Sequence, residues 1–398
     1  MFKNFIQRFQ GRGRITVTEL QLLYFFTAFL ALHAAIPQYG NSGFLGTFLD
    51  EQTVGIVFAA ASVLTLFALL NLPKILKRFG VYTTASSLIV LEIFTLIILG
   101  ISTLSTLTII AFILHLFLAR SLFYTLDILT ENLSAPERTG VIRATLLTVL
   151  NTAILVSPIL LSLILGPDSR YGLMYLVAAL MLVPALFFLS VGFRHFKDPI
   201  YDSINARGAL SKILRSKDLF NIFAAGFLLR FFFAWMTIYT PLYLINTIGF
   251  DWSVLGLIFA FMLLPFVLFE ISIGSAADKY IGEKEFLTTG FIITGLTTIA
   301  LSFITVPNAI LWALALFATR FGASLIEAST ESYFFKQVEP SESGVVALYR
   351  ALSPTAFFVA PIVSTLALIF IDIRYTFVVL GTVILTGVIY ALAIVDSK

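Results

Sequence analysis

Twelve stretches of 18 or more predominantly apolar residues follow one another along this chain of 398 residues, and they leave few folds open. An α-helix rising 1.5 Å per residue needs about 20 such residues to cross a hydrocarbon core of roughly 30 Å. A transmembrane barrel would instead show short segments of alternating polarity, whereas these runs are continuously apolar. Only 12% of the residues are charged, about half the share in soluble domains, so a membrane is the expected solvent. The sequence has no cysteine and three histidines. Disulfides and thiolate metal sites are thereby excluded, a His-rich metal site is disfavoured, and no cofactor is expected. The net charge of +3 suits a membrane protein with basic cytoplasmic loops and requires no nucleic-acid partner.

The charges between spans set the orientation. Asp50 and Glu51 stand before span 2, and Lys74, Lys77 and Arg78 follow it, so the second loop and both termini are expected on the cytoplasmic side. The first six spans run roughly Val17–Ile36, then one between about Thr53 and the loop carrying Lys74, then Tyr82–Ile101, Leu107–Leu129, Val141–Leu165 and Gly172–Gly192. They resume at Leu219–Ile245, Ser253–Ile273, Glu285–Val306, Ala309–Tyr333, Ser343–Ile369 and Tyr375–Ile394. Residues 1–16 form a basic segment in which Phe2, Phe5, Ile6 and Phe9 oppose Lys3 and Arg8, either a helix on the membrane surface or a solvated tail. No signal-peptide cleavage pattern follows them. Residues 193–218 are a basic linker between two six-span halves, 17–192 and 219–398.

The halves repeat each other. Phe117-Leu118-Ala119-Arg120, Asp127 and Thr130-Glu131 recur as Phe317-Ala318-Thr319-Arg320, Glu327 and Thr330-Glu331, 200 residues later at every matched position. At about 100° per residue, each Arg and its two acids share one helix face. Val54-Gly55-Ile56-Val57-Phe58-Ala59 likewise recurs as Leu255-Gly256-Leu257-Ile258-Phe259-Ala260. An even number of spans per half gives both copies one orientation, a parallel repeat with a cavity expected between the halves. A charge in a bilayer-length helix costs at least about 2.5 kcal/mol unless it faces protein or water, so the stripes are candidate functional residues.

After span 8 the chain reads Gly274-Ser275-Ala276-Ala277-Asp278-Lys279-Tyr280-Ile281-Gly282-Glu283-Lys284. This resembles the signature of the major facilitator superfamily, Gly, three residues, Asp, a basic residue, then Gly, with one extra residue before the second Gly. The Arg of span 4 and Pro136-Glu137-Arg138-Thr139-Gly140 after it resemble the family too. The resemblance implies an all-α fold of twelve transmembrane helices in two halves, with spans 1, 4, 7 and 10 around a central cavity. It also implies a secondary transporter working by alternating access, a small-molecule substrate, membrane lipids around it, a monomer, and a bacterial inner (plasma) membrane.

Substrate or proton coupling is accordingly expected of Arg120, Asp127, Arg230, Glu270, Arg320, Glu327 and His33. For His33, whose imidazole titrates near neutral pH, a plain hydrogen bond to a backbone carbonyl is the competing reading. A cytoplasmic gate is expected of Gly274, Asp278, Lys279, Gly282, Lys77, Arg78, Gly80, Glu131, Glu331 and Arg350. Asp278 would accept hydrogen bonds from an opposing helix N-terminus. Lys279 and Lys284 would pair with Glu331 or lipid phosphates, Lys77 and Arg78 with Glu131 and Glu137, and Arg350 with Glu327 or Glu331. The first half departs from the signature, with Lys77 where the acid is expected. Glu92, in a span that the family places at the periphery, has no assigned role.

Buried acids favour protons as the coupling ion, and three arginines in the spans favour an anionic substrate. Proton-coupled export of amphipathic or anionic compounds is the leading expectation. An uptake symporter or facilitator for a sugar or organic acid, and a non-transporting lipid-handling or sensor protein, are the alternatives. No nucleotide-binding loop or nucleophile–base set is visible, so neither ATP-driven pumping nor enzymatic activity is expected.

Overall fold

A computed structural model describes residues 17–133, 139–198, 206–269, 282–338 and 343–395. Among them there is no strand. The helices are α1 (Val17–Gln38), α2 (Gly40–Leu45), α3 (Glu51–Phe79), α4 (Val81–Ile101), α5 (Ser105–Leu133), α6 (Thr139–Leu165) and α7 (Tyr171–Phe193), followed by α8 (Ala206–Arg215) in the linker. Then come α9 (Lys217–Asn246), α10 (Trp252–Leu268), α11 (Glu283–Leu301), α12 (Ala309–Gln337) and α13 (Ser343–Leu368). The last span is a short 3₁₀ turn, Ile373–Tyr375, leading into α14 (Thr376–Leu385) and α15 (Gly387–Ala393). Among the described residues, ten helical segments are long and apolar enough to cross a membrane. The 17 residues of α10 and the 19 of α11, whose first turn is acidic, complete the twelve.

Polar residues start these helices where the sequence offers them. The carboxylate of Asp50 accepts from the Thr53 N–H at 2.8 Å at the start of α3, and Asp251, its counterpart 201 residues on, accepts from the Ser253 N–H at 2.8 Å before α10. The Thr53 backbone N–H holds the Asp50 carboxyl below the usual carboxylate range.

The chain forms two compact units, residues 1–38 with 63–201, and residues 39–62 with 202–398. In the first, α1 packs on α6 and α7, and α4 packs on α5 and α7. In the second, α9 packs on α13 and on α15, α11 on α12 and α14, and α10 on α12. Shifted by six spans, these four pairs of the first unit recur in the second, which adds the α10–α12 pair, so the internal repeat in the sequence is largely a repeat of packing. Lipid offers helices no hydrophobic drive to associate, and close backbone approach between small residues supplies it instead. The α4–α7 joint closes on Gly100 and Gly172, where a Cβ on Gly172 would stand 2.5 Å from the Gly100 carbonyl oxygen. Its counterpart, α11–α14, closes on Gly295 and Gly381, where a Cβ on Gly381 would stand 2.6 Å from the Gly295 carbonyl oxygen.

Residues 39–62 bring α2 and the first turns of α3 into the second unit. Gln52 donates to the Leu368 carbonyl at 3.0 Å, and the Ser62 hydroxyl donates to the Phe357 carbonyl at 2.9 Å. Gly55 fits because it lacks a side chain, since a Cβ there would lie 2.3 Å from both the Thr365 and Tyr239 hydroxyl oxygens.

Candidate functional site

Arg320 of the second unit lies eleven residues, or about 17 Å, into α12. Its side chain is 2% exposed. The guanidinium carbon lies 4.8 Å from the Phe232 ring centroid and 5.3 Å from that of Phe233, both on α9. The Tyr39 phenol is its hydrogen-bond partner, and Glu327, two turns further along α12, contributes through the field of its charge. Nε and Nη1 have no acceptor. A guanidinium presents five N–H donors in a rigid fork and cannot lose its charge, so a buried Arg with an unfilled fork has spare capacity for one anionic group. Aromatic faces stabilise the cation without consuming any of those donors.

One step inward, Arg230 of α9 joins α12 and α13. Its Nη2 donates to Glu331 Oε1 at 3.0 Å, its Nη1 to the Gly226 carbonyl at 3.0 Å, and its guanidinium carbon sits 4.7 Å from the Tyr349 ring centroid. Glu331 is thus paired with an arginine inside its own unit rather than reserved for Lys284. The structure joins one residue expected at the substrate site to one expected at the gate. The same helix, α9, carries Phe227, Phe231, Trp235 and Tyr239 four residues apart, with successive ring centroids 6.1, 5.6 and 5.9 Å apart. Trp235 is fully buried, and its indole N–H has no acceptor.

Two glycines expected at the gate do one job. Gly80 and Gly282 are the N-cap residues of α4 and α11, with φ of +77° and +93°, a region closed to most side chains. Beside Gly80, the carboxylate of Asp198 accepts from the Val81 N–H at 2.7 Å. A carboxylate from after α7 therefore caps this helix where Lys77 has replaced the acid of the signature. In the second unit, Glu283 at the start of α11 is 1% exposed, accepts from the Ser332 hydroxyl at 2.9 Å and pairs with Lys336, both on α12. Lys77, Arg78 and Glu131 are exposed. Among the described residues no ion pair joins them, and Arg78 instead lies over the Phe79 ring at 5.2 Å. Arg350 is exposed beside the buried Tyr349. Glu270, Gly274, Asp278, Lys279 and Glu137 lie outside the described residues.

In the first unit the stripe keeps to one face. Arg120, Asp127 and Glu131 are exposed, while Leu118, Leu122, Leu126 and Leu129 between them are buried. The repeat is thus unequal at its first position, where Arg120 is accessible and Arg320 is sealed. His33 proves to have two neighbours. Its Nδ1 donates to the Leu30 carbonyl at 2.5 Å, and its Nε2 lies 3.6 Å from Glu92 Oε1. Glu92 acquires an account as well, because His115 Nδ1 lies 2.5 Å from the same carboxylate oxygen. All three side chains are at most 2% exposed.

Sequence reading missed this cluster, Tyr39, the α9 ring ladder and the Asp198 cap. Two of the three histidines lie in apolar spans, as does a lone glutamate, and that coincidence was the available signal. Four-residue spacing of rings announced the ladder. Nothing in the sequence marks Tyr39.

Two units of helices, with arginines and acids held within the apolar layer, define an integral multi-pass membrane protein. Residues 253–398 match the family model of the Major Facilitator Superfamily. The whole chain shares its fold with an auto-inhibited POT family peptide transporter, at TM-score 0.77 and 12% identity over 96% of this chain and 98% of that one. It is similarly like the POT family transporter PepTSo, at TM-score 0.75 and 11% identity over 94% and 97% of the two chains. The nucleoside transporter NupG gives TM-score 0.70 and 13% identity over 95% and 98%. No curated protein matches the sequence. Residues 253–398 thus resemble that family, and the chain as a whole has the fold of these solved transporters.

Proposed function

We propose that this transporter carries a small solute with an anionic group, held by Arg320, and couples its movement to protons. The observation that carries the reading is the buried guanidinium with two unfilled donor positions, Nε and Nη1, between the rings of Phe232 and Phe233. A carboxylate or phosphate oxygen accepts a charge-assisted hydrogen bond from either of these donors. The ring ladder on α9 supports a solute whose remaining body is apolar or aromatic. In this conformation Arg320 is sealed, so binding requires displacement of Tyr39 and the segment 39–62 from the second unit. That displacement is the opening step of alternating access. Asp127 and Glu327, at equivalent positions on the two stripes, are the acids whose surroundings would change with it, which is the requirement for exchanging a proton. Arg230 and Glu331 form a bond that either holds the inner end shut or yields Glu331 to a proton. Gly80, Gly282, Asp278 and the basic residues beside them act at the cytoplasmic gate.

The test is uptake of labelled carboxylates and phosphate esters into proteoliposomes, with and without an imposed pH gradient. The reading expects at least one anion to accumulate against its own gradient when protons run down theirs, and that movement to disappear in Arg320→Met. Movement of uncharged solutes alone would overturn the anion reading, and indifference to the pH gradient would overturn the coupling.

A further inference from the structure

Unit 1 buries a proton-balance problem that the solute site does not use. Glu92 lies eleven residues, about 17 Å, into α4, and His115 lies ten residues, about 15 Å, into α5, so both sit deep in the apolar layer. His33 of α1 completes the cluster, with Nε2 3.6 Å from Glu92 Oε1, while His115 Nδ1 is 2.5 Å from that same oxygen.

The protons can be counted from the partners. A carbonyl oxygen only accepts, so the Leu30 carbonyl fixes a hydrogen on His33 Nδ1. A neutral His33 then turns a bare Nε2 lone pair toward a carboxylate. His115 Nδ1 and Glu92 Oε1 share one hydrogen, whichever atom bears it. With both imidazoles neutral and Glu92 ionised, the cluster carries one negative charge and leaves two acceptors facing each other in a fully buried site. His33 Nε2 has no hydrogen-bond partner, and neither has the second carboxylate oxygen, Glu92 Oε2. One further proton between His33 Nε2 and the carboxylate removes the conflict and brings the net charge to zero.

We infer that His33, Glu92 and His115 form a binding site for one exchangeable proton in the first unit. Uptake takes one proton from bulk water onto His33 Nε2 and changes the cluster from minus one to neutral; release reverses it, and no other bond is made or broken. An uncompensated carboxylate at this depth is costly, whereas the protonated cluster is not. The groups around it do not supply a substitute cation. From α7, Tyr175 stacks edge-on against the His115 ring at 6.0 Å, with Tyr171 a turn earlier. The ionisable residues of α1, Glu19 and Tyr24, lie two turns or more from His33, and α4 adds only Tyr82 near its cytoplasmic start. On α5, Arg120, Tyr124, Asp127 and Glu131 lie further in, with Arg120 exposed and about 140° around the helix from His115. The one ionisable residue of α6 is Arg143, near its cytoplasmic end, and Arg170 pairs with Asp168 at 3.6 Å beyond the helix ends.

This inference stands without the anion reading, because proton uptake can be followed with no solute present. The three histidines make it measurable. Protein labelled with ¹⁵N-histidine, reconstituted in lipid nanodiscs, is titrated from about pH 4.5 to 9 while the ring nitrogens are observed. His195→Gln identifies the exposed third ring. The expected result is that His33 Nε2 passes from unprotonated to protonated, and that His115 responds at the same midpoint, with one proton taken up between them. In Glu92→Gln the shared midpoint should vanish. In His33→Asn, which keeps a donor for the Leu30 carbonyl, uptake should fall from one proton to none. Rings that stay neutral throughout in the unaltered protein, or a shared titration that survives Glu92→Gln, would overturn the proposal.

Discussion

Replacing Arg320 by Met separates the binding role of this residue from any structural one. The substitution removes two unmet donors, each worth about 1–3 kcal/mol of unrecovered desolvation. Against that gain, it forfeits two cation–π contacts of about 0.5–2 kcal/mol each and orphans the Tyr39 hydroxyl. These nearly cancel, so the solute-free variant should retain its stability to within about 2 kcal/mol. Ligand linkage behaves differently. An anion at 100 times its dissociation constant adds about 2.7 kcal/mol to the unaltered protein. At about 2.1 cal/mol/K per residue, a chain of 398 residues unfolds with an entropy near 0.8 kcal/mol/K, so the midpoint should rise by about 3 °C. The assay is thermal unfolding by intrinsic fluorescence in detergent across a panel of small carboxylates and phosphate esters. The unaltered protein should show a saturable rise with at least one of them, and Arg320→Met none at any concentration. A rise of equal size in the variant would refute the reasoning, as would a Met variant too unstable to purify, because the balance above would then be wrong.

Further outcomes follow from other joints. Arg230→Ala and Glu331→Ala should each lower stability by about 1–2 kcal/mol, and a double-mutant cycle should return a coupling of about 1 kcal/mol, since the two side chains are 17% and 39% exposed. Gly172→Val and Gly381→Val push a side chain into a facing backbone and should each cost about 3 kcal/mol or prevent assembly, read as loss of the monodisperse peak in size-exclusion chromatography. Gly80→Ala should cost about 1 kcal/mol or more by thermal unfolding, because φ is +77° there and a Cβ would meet Asp198 Oδ2 at 2.6 Å. Because Asp50 is held below its ordinary range, its contribution is present at neutral pH and lost as pH falls through the carboxylate range. Asp50→Asn should flatten that part of the stability–pH curve.

Hydropathy made twelve crossings legible, and a 200-residue offset made the repeat legible, because both are properties of residues near one another along a helix. The acids and arginines of the stripes were visible for the same reason. Their partners were not. Arg230 meets Glu331 across 101 residues, and His115 meets Glu92 across 23 residues and one turn of chain reversal, contacts fixed by which helix faces which. Burial was hidden as well, since Arg120 and Arg320 occupy equivalent positions in the repeat and differ only in what surrounds them. The Asp198 cap shows the third limit. The acid that the signature lacks at Lys77 is supplied from another part of the chain, and a linear pattern registers only the loss.

Helix α3 begins in one compact unit and ends in the other, with the division between Ser62 and Val63. During synthesis, residues 39–62 enter the membrane long before Leu368, Phe357 and Arg320 have been made, so the second unit assembles around a segment already waiting for it. A polypeptide cut between the units would therefore yield unequal pieces. The C-terminal fragment would lack its Tyr39 and the helix turn carrying Gly55, and the N-terminal fragment would display both. The pieces would recognise each other through this donated segment, so restored assembly on coexpression would measure how strongly the early part of the chain templates the late one.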